Sequence, residues 1–372
     1  MKIVYIITQA TWGGAQAHLY SLIKAQVMRG NAVALVYGVE GRLSASVAKE
    51  FQDVQVVRVA SLVHPIAPLS DLKAIYTLRK LVKNWQPDII HLHSSKAGMI
   101  GRLATIRLPM KVIFTVHGWG FTPGVGKKRQ LLMKTIEKAL SRLTTAYICV
   151  SQFDYDLGVQ SGVITSAHPA RVIHNGVTAL TGANKATSSE VFVLSMAARF
   201  DTPKRQDILI QALTYLPENL PIVCHFLGDG PSIEACKTLT HQLNLDGKVN
   251  FYGVVDNVQK YYSQSDVGVL ISDYEALPIS LVEALAQGLP IIASNVGGIQ
   301  ELIDHNGFLV TNDARQIAEK ILTLYQSKKI AEVKTNSYQM YQRHYTEHEM
   351  LEQTQAYYLR CLLYTSPSPR DV

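Results

Sequence analysis

The stretch that most constrains the fold is 267–298, VGVLISDYEALPISLVEALAQGLPIIASNVGG. Residues 267–272 form a continuous apolar run with β-branched members, which suits a strand buried on both faces of a parallel sheet. The pattern breaks over 274–277. Pro278 then suits the first turn of a helix, where its missing N–H costs nothing. Leu281, Val282, Leu285 and Ala286 give that helix an apolar face. Gly288 and Pro290 stop it, and 290–294 begins another strand.

Two carboxylates flank the strand-to-helix turn. Glu275 lies in the loop at the carboxyl end of the strand, and Glu283 lies just over a turn into the helix. In open α/β sheets ligands bind at that edge. The helix N-terminus between the two favours an anion, and each Glu can accept hydrogen bonds from hydroxyls. An anion flanked by hydroxyl-bearing groups describes a nucleotide sugar. Taken singly, Glu283 reads as a solvated helix residue and Glu275 as a charge favoured by the helix dipole. The pair around a proline-started helix points instead to a ligand.

The rest of the chain repeats the strand–helix alternation twice. Strands are expected over 2–8, 32–37, 54–60, 88–93, 111–117 and 146–150, with helices over 16–29 and 71–85 between them. Residues 178–190 (TALTGANKATSSE) lack apolar periodicity and read as a linker. Alternation restarts with strands over 191–198, 222–227 and 249–252, helices over 205–215 and 232–243, and then the opening stretch. The predicted fold is α/β, two Rossmann-like doubly wound domains. A chain of 372 residues is too long for one ordinary core. Residues 328–360 read as helices of mixed polarity, and 361–371 (CLLYTSPSPRD) resembles a translated sequencing adapter, so the fold reading leaves it out.

No run is long and apolar enough to span a bilayer, and residues 1–8 are too short for a signal peptide. Four scattered cysteines without metal spacing suggest reduced core thiols and a cytoplasmic protein. The net charge of +7 hides a division: residues 1–178 carry 21 Lys/Arg against 8 Asp/Glu, whereas the remainder carries 15 against 21. Such asymmetry implies that the first half faces something anionic, nucleic acid or lipid headgroups. Nucleic acid has only this charge in its favour.

Glu275-x7-Glu283 and the residues around it resemble the signature of glycosyltransferase family 4, retaining enzymes of the GT-B fold, and the likeness extends over most of the chain. The resemblance implies two Rossmann-like domains facing across a cleft: an N-terminal acceptor domain over 1–178, a nucleotide-sugar domain over 190–345, and a last helix over 346–360 crossing back to the first. It implies that Glu283 holds the ribose and Glu275 the donor sugar. Leu277 and Ile279 fall in the same donor loop, and 228–230 (Gly228 first) and 253–255 (Val254 central) match loops that line the base. Arg199 and Lys204, a fork-shaped and a point cation after the first strand of the second half, match a pair that stabilises the departing diphosphate. Each alone would pass for an ordinary loop or helix-start cation, and adjacent Arg205 could substitute for Lys204.

Gly13 and Gly14 follow the first strand and let backbone N–H groups approach a phosphate or sugar. On its own the pair is a tight turn, and no acid ends the second strand as a dinucleotide site requires. His117 ends a strand before Gly118-Trp119-Gly120-Phe121 and can bond a sugar hydroxyl or move a proton, although a structural histidine fits equally well. The HGWGF run resembles enzymes of capsule and exopolysaccharide assembly. His91 and His93 show no recognisable metal spacing and read as structural. Lys96, in SSKAG after HLH, belongs to a possible anion site that competes with a plain helix cap. Residues 126–145 read as a basic amphipathic helix able to lie on anionic membrane. Lys134, Lys138 and Arg142 take one face, Leu132, Ile136, Leu140 and Leu143 another, and Lys127, Lys128 and Arg129 precede them. Asp154-Tyr155-Asp156 spells the D-x-D of metal-dependent transferases, but Ser151 and Asp154 fit a capping box.

The expectation is a metal-independent hexosyltransferase with no cofactor. It would move a sugar from a nucleotide donor, best a UDP-sugar, to a lipid-linked saccharide, peripherally at the inner membrane face. A nucleotide-sugar 2-epimerase of the same fold and a non-catalytic sugar-nucleotide sensor are the alternatives. Acceptor-independent interconversion would mark the first, and binding without UDP release the second.

Overall fold

In the computed structural model, residues 1–180 and 191–363 are described, and the core of the predicted linker lies outside them. The chain divides into two compact units. One comprises Met1–His174 with the chain from His348 onward, and the other comprises Asn175–Glu347. The division precedes residue 178 because 175–178 already bond to the second unit. The Asn175 amide donates to the Leu277 carbonyl at 2.8 Å, and Val177 N–H donates to the Tyr345 carbonyl at 3.1 Å.

The first unit has a parallel seven-stranded sheet. In chain order its elements are β1 (Lys2–Gln9), α1 (Gly14–Met28), β2 (Ala32–Val39), α2 (Arg42–Glu50), β3 (Gln55–Arg58), α3 (Pro68–Trp85), β4 (Ile89–His93), α4 (Ser95–Ala104), β5 (Lys111–Val116), α5 (Lys127–Leu140), β6 (Ala146–Cys149), α6 (Gln152–Gln160) and β7 (Ala170–Val172). The spatial order is β3-β2-β1-β4-β5-β6-β7, so the winding reverses between β1 and β4. Val4, Ile6, Ile90 and Leu92 pack against α3 and α4 on one face. Ile3, Tyr5, Ile7 and Ile89 pack against α1 and the last helix on the other. Alternate side chains of each strand thus feed two cores, which is why the strands read as unbroken apolar runs.

The second unit has a parallel six-stranded sheet. Its elements are β8 (Phe192–Ala197), α7 (Gln206–Leu213), β9 (Ile222–Leu227), α8 (Ile233–Gln242), β10 (Val249–Phe251), α9 (Val258–Tyr262), β11 (Val267–Leu270), α10 (Ile279–Ala286), β12 (Ile291–Ser294), β13 (Gly307–Val310), α11 (Ala314–Tyr325) and α12 (Ile330–His344). The order β10-β9-β8-β11-β12-β13 places the reversal between β8 and β11. Both units are Rossmann-like, each with one switch point.

The last helix, α13 (Glu347–Leu363), returns to the first unit. Tyr358 is fully buried there, and its hydroxyl bonds those of Tyr5 and the imidazole of His91. Cys361 is also buried in that core, so α13 runs past residue 360, where the adapter-like sequence begins. All four cysteines are buried and unpaired. Among the described residues no helix is long and apolar enough to cross a membrane.

The basic helix differs from its expected form. It ends at Leu140 and continues as a 3-10 turn over Ser141–Leu143. Leu132, placed on the apolar face by its spacing, is exposed, as is Leu131. Glu137 is buried instead, 2.8 Å from the guanidinium of fully buried Arg102 on α4. A buried charge is retained when it is paired, and this pairing turns the helix away from the face that apolar spacing alone selects.

Candidate active site

The strand ends at the second unit's switch point gather four of the expected donor residues. Glu275 follows β11, in a loop pinned by a polar network. Ser272 N–H donates to Ser294 Oγ at 2.9 Å, Ser294 Oγ donates to Asn312 Oδ1 at 2.6 Å, and Asn312 Nδ2 donates to the Ser272 carbonyl at 3.1 Å and to Asp273 Oδ1 at 2.9 Å. Gly297 comes so close that a Cβ built on it would lie 1.8 Å from the Glu275 carbonyl oxygen, and its φ of +54° also favours glycine. Ser294, Gly297 and Asn312 support the site and were missed from sequence, because their partners lie 18 to 40 residues away.

Lys204, after β8, forms an ion pair with the Glu275 carboxylate. Both side chains are largely buried. Lys204 was expected to serve a diphosphate, and here it also holds Glu275 in place; its ammonium has further donors to offer. Arg205 does not duplicate it. Its guanidinium makes a bidentate bond to Asp207 at 3.0 and 2.9 Å and reaches Asp273 at 3.3 Å, and these carboxylates raise its pKa further above the usual range. Arg199 is different: its side chain is 67% exposed, with Asp201 only at 4.0 Å. It remains available to an anion.

Glu283 lies in the second turn of α10, whose N-cap is Pro278. It has no hydrogen-bond partner among the described residues and keeps part of its surface exposed. Burial of its carboxyl pushes its pKa up to about 7. The buried Tyr262 is close enough that the Glu283 charge adds to the desolvation raising its own pKa. A half-buried carboxylate without donors is costly unless a ligand supplies them. The first N–H groups of α10 also lack intrahelical acceptors, so an anion is favoured there. Leu277 is buried and Ile279 is half-buried beside them. Gly228 (φ +142°) has no room for a Cβ, which would meet the Ala198 carbonyl oxygen at 2.1 Å, while Val254 is 70% exposed beyond Gly253.

The first unit's switch point gathers a second set. Gly13 is the N-cap of α1 and Gly14 its first residue. Ser94 caps α4 with a φ of +83°, rare for a residue with a Cβ, and its hydroxyl lies 2.8 Å from that of Thr8. Lys96 is no anion site. Its ammonium is buried and bonded to Asp71 of α3 at 2.6 Å.

His117 ends β5. Gly118 (φ +106°) turns the chain there, and Trp119, buried, ties the loop down by donating its indole N–H to the Asp154 carbonyl at 2.7 Å. Asp154 itself is buried beside its cap Ser151, with Ser151 Oγ donating to Asp154 Oδ2 at 2.6 Å, so the D-x-D spelling is a helix cap. His91 is held by Tyr358 and Thr115, a structural arrangement. His93, also expected to be structural, instead lies with its Nδ1 3.0 Å from Nε2 of His117. His18 of α1, unremarked in the sequence, packs edge-on to His117 with ring centroids 5.0 Å apart. Burial pushes the pKa values of His91, His93 and His117 well below the usual histidine range, and their mutual repulsion adds to it.

The ligand nitrogens of His18, His93 and His117 lie within 4.8 Å of one another, so these are the residues that could hold a metal. Tetrahedral zinc at about 2.0–2.1 Å per nitrogen needs a tighter set, roughly 3.3 Å between nitrogens. The proton shared between His93 and His117 also occupies one nitrogen of each. The cluster reads as a hydrogen-bonded group.

Known proteins match both halves. The family model described as Glycosyltransferase Family 4 matches residues 12–179, and that described as Glycosyl transferases group 1 matches 183–340. The UDP-Gal:alpha-D-GlcNAc-diphosphoundecaprenol alpha-1,3-galactosyltransferase of Escherichia coli is 31% identical over 270 residues, 68% of this chain and 70% of that protein. The O-antigen biosynthesis glycosyltransferase WbnH of Escherichia coli is 28% identical over 324 residues, covering 86% and 89%. Among solved structures, Anabaena HepE in complex with UDP and glucose superposes with a TM-score of 0.80 at 21% identity, over 96% of this chain and 99% of that one. With its two switch-point sheets, its returning last helix and its Glu275–Glu283 pair, the chain belongs to glycosyltransferase family 4 and has the GT-B fold.

Proposed function

We propose that this chain transfers a hexosyl residue from a UDP-sugar, with retention of configuration, onto a lipid-linked saccharide during polysaccharide assembly at the inner membrane face. The observation that carries the donor reading is Glu283: half-buried, without a hydrogen-bond partner among the described residues, its pKa raised to about 7, beside the N-terminus of α10. Ribose hydroxyls supply the donors it lacks. Arg199 and Lys204 place fixed positive charge where the diphosphate departs, which is the service a metal performs in other transferases. The second unit takes the nucleotide sugar, and the first takes the acceptor.

In this reading the bond from the anomeric carbon to the diphosphate oxygen breaks as the acceptor oxygen bonds the same face. The acceptor proton passes to the departing phosphate oxygen. No carboxylate nucleophile is needed, and Glu275, held by Lys204, serves to orient the sugar. His117 takes a sugar hydroxyl from the first unit.

The UDP-sugar and the lipid diphosphate acceptor are supported by the names of relatives that use or bind them. The membrane reading rests on exposed Lys127, Lys128, Arg129, Lys134 and Lys138 beside exposed Leu131 and Leu132 on α5. The test is UDP release from UDP-galactose or UDP-glucose with a diphosphoundecaprenol-linked N-acetylglucosamine in anionic and in neutral vesicles. The reading expects acceptor-dependent release, an α-linked product and faster turnover on anionic vesicles. An inverted anomer, a metal requirement or interconversion of the donor without acceptor would overturn it.

A further inference from the structure

His93 is fully buried, yet it is bonded to His117, which is partly exposed. Both rings are neutral, since burial holds their pKa values well down, and a neutral imidazole carries a single N–H. Two arrangements of the shared proton are therefore open. In one, His93 carries its hydrogen on Nδ1 and donates to His117 Nε2. In the other, His117 donates from Nε2 and the hydrogen of His93 sits on its own Nε2.

The surroundings of His93 choose between them. Its Nε2 is buried with no hydrogen-bond partner among the described residues. A buried N–H without an acceptor is rarer and costlier than a bare nitrogen without a donor. The hydrogen of His93 therefore belongs on Nδ1, where it has an acceptor. His117 must then accept at Nε2 and carry its own hydrogen on Nδ1, the nitrogen left without a partner among the described residues.

We infer that His93 is a positioning residue that fixes His117 in the Nδ1–H form, so that His117 meets a substrate sugar as a hydrogen-bond donor and not as a general base. The inference rests on the reading that His117 contacts a sugar. It accounts for the short HLH spacing on β4. His91 and His93 point to the same side of the strand, the first bonded to Thr115 of β5 and the second to His117 just beyond it. It also fits with a reaction whose proton goes to the leaving group, because a base at His117 would have no task.

Two measurements test it together. Imidazole nitrogen NMR of histidine-labelled protein reads the tautomer directly. The wild type should show His117 protonated at Nδ1, and His93→Leu should leave it mixed or reversed. The kinetics use UDP release from UDP-galactose or UDP-glucose, whichever the wild type turns over. His93→Leu should lower kcat roughly tenfold or more, as loss of a supporting hydrogen bond behind a site ligand does, with little change in KM. His93→Asn, whose amide can donate from near the Nδ1 position, should restore most of it. His117→Ala should remove the dependence, so that the double variant His93→Leu/His117→Ala is no slower than His117→Ala. A wild-type His117 protonated at Nε2, or additive losses in the double variant, would overturn the inference while leaving His117 in the site. If His117→Ala keeps full kcat, the sugar-contact reading itself fails.

Discussion

At the scale of single residues, the proposed donor site depends on groups that play no part in ordinary packing. Among the described residues Glu283 has no hydrogen-bond partner, Arg199 is held only loosely, and Lys204 is committed to Glu275. Gly297 shows how little freedom the backbone around them has. A methyl group there would collide with the Glu275 carbonyl, and φ at +54° disfavours any side chain. Gly297→Ala should cost about 1–3 kcal/mol in stability by denaturant melts. It should also cut turnover of the UDP-sugar more than a control Gly126→Ala, where a Cβ would meet nothing. Equal effects of the two substitutions would mean that the Glu275 loop is not held by this contact.

At the scale of elements, one contact between helices decides how the basic helix sits. Arg102 on α4 lies over the Phe114 ring at 4.8 Å, donates to the Gly98 carbonyl at 2.7 Å, and meets Glu137 of α5 in a fully buried pair. Removing one member of such a pair strands the other charge. Glu137→Ala should destabilise the protein by about 3–5 kcal/mol, and a double Arg102→Met/Glu137→Leu variant should recover most of it. If the single variant melts like the wild type, the pair is not what orients α5. This contact was hidden in the sequence. Glu137 reads as one more charge on a charged helix, and Arg102 as the last turn of another. The strands and the switch-point loops were legible, because double burial writes itself as unbroken apolar runs. Short α2, with Leu43 and Val47 as its apolar anchors, and α9 lack the length for a clear period. By contrast α11 carries Ile317, Ile321 and Leu324 on one face and was open to reading. The grouping of His18, His93 and His117 was not, since three elements far apart in the chain bring it together, whereas Glu275 and Glu283 are joined by a single turn.

At the scale of the whole molecule, two Rossmann-like units each gather candidate site residues at the strand ends where the winding of the sheet reverses. The central claim is that Glu283 receives the ribose of a uridine nucleotide, and calorimetry of UDP binding tests it most directly. Hydroxyls donate more strongly to a carboxylate than to its protonated form, so binding draws the raised pKa down and releases a proton. Affinity for UDP should therefore rise about tenfold between roughly pH 6 and pH 8, the span across a carboxyl that titrates near 7. In Glu283→Gln, binding should be weaker, and the part of the pH dependence that belongs to this carboxyl should vanish. Equal affinity and an equal pH profile in the two proteins would contradict the account, and the donor site would have to be sought elsewhere.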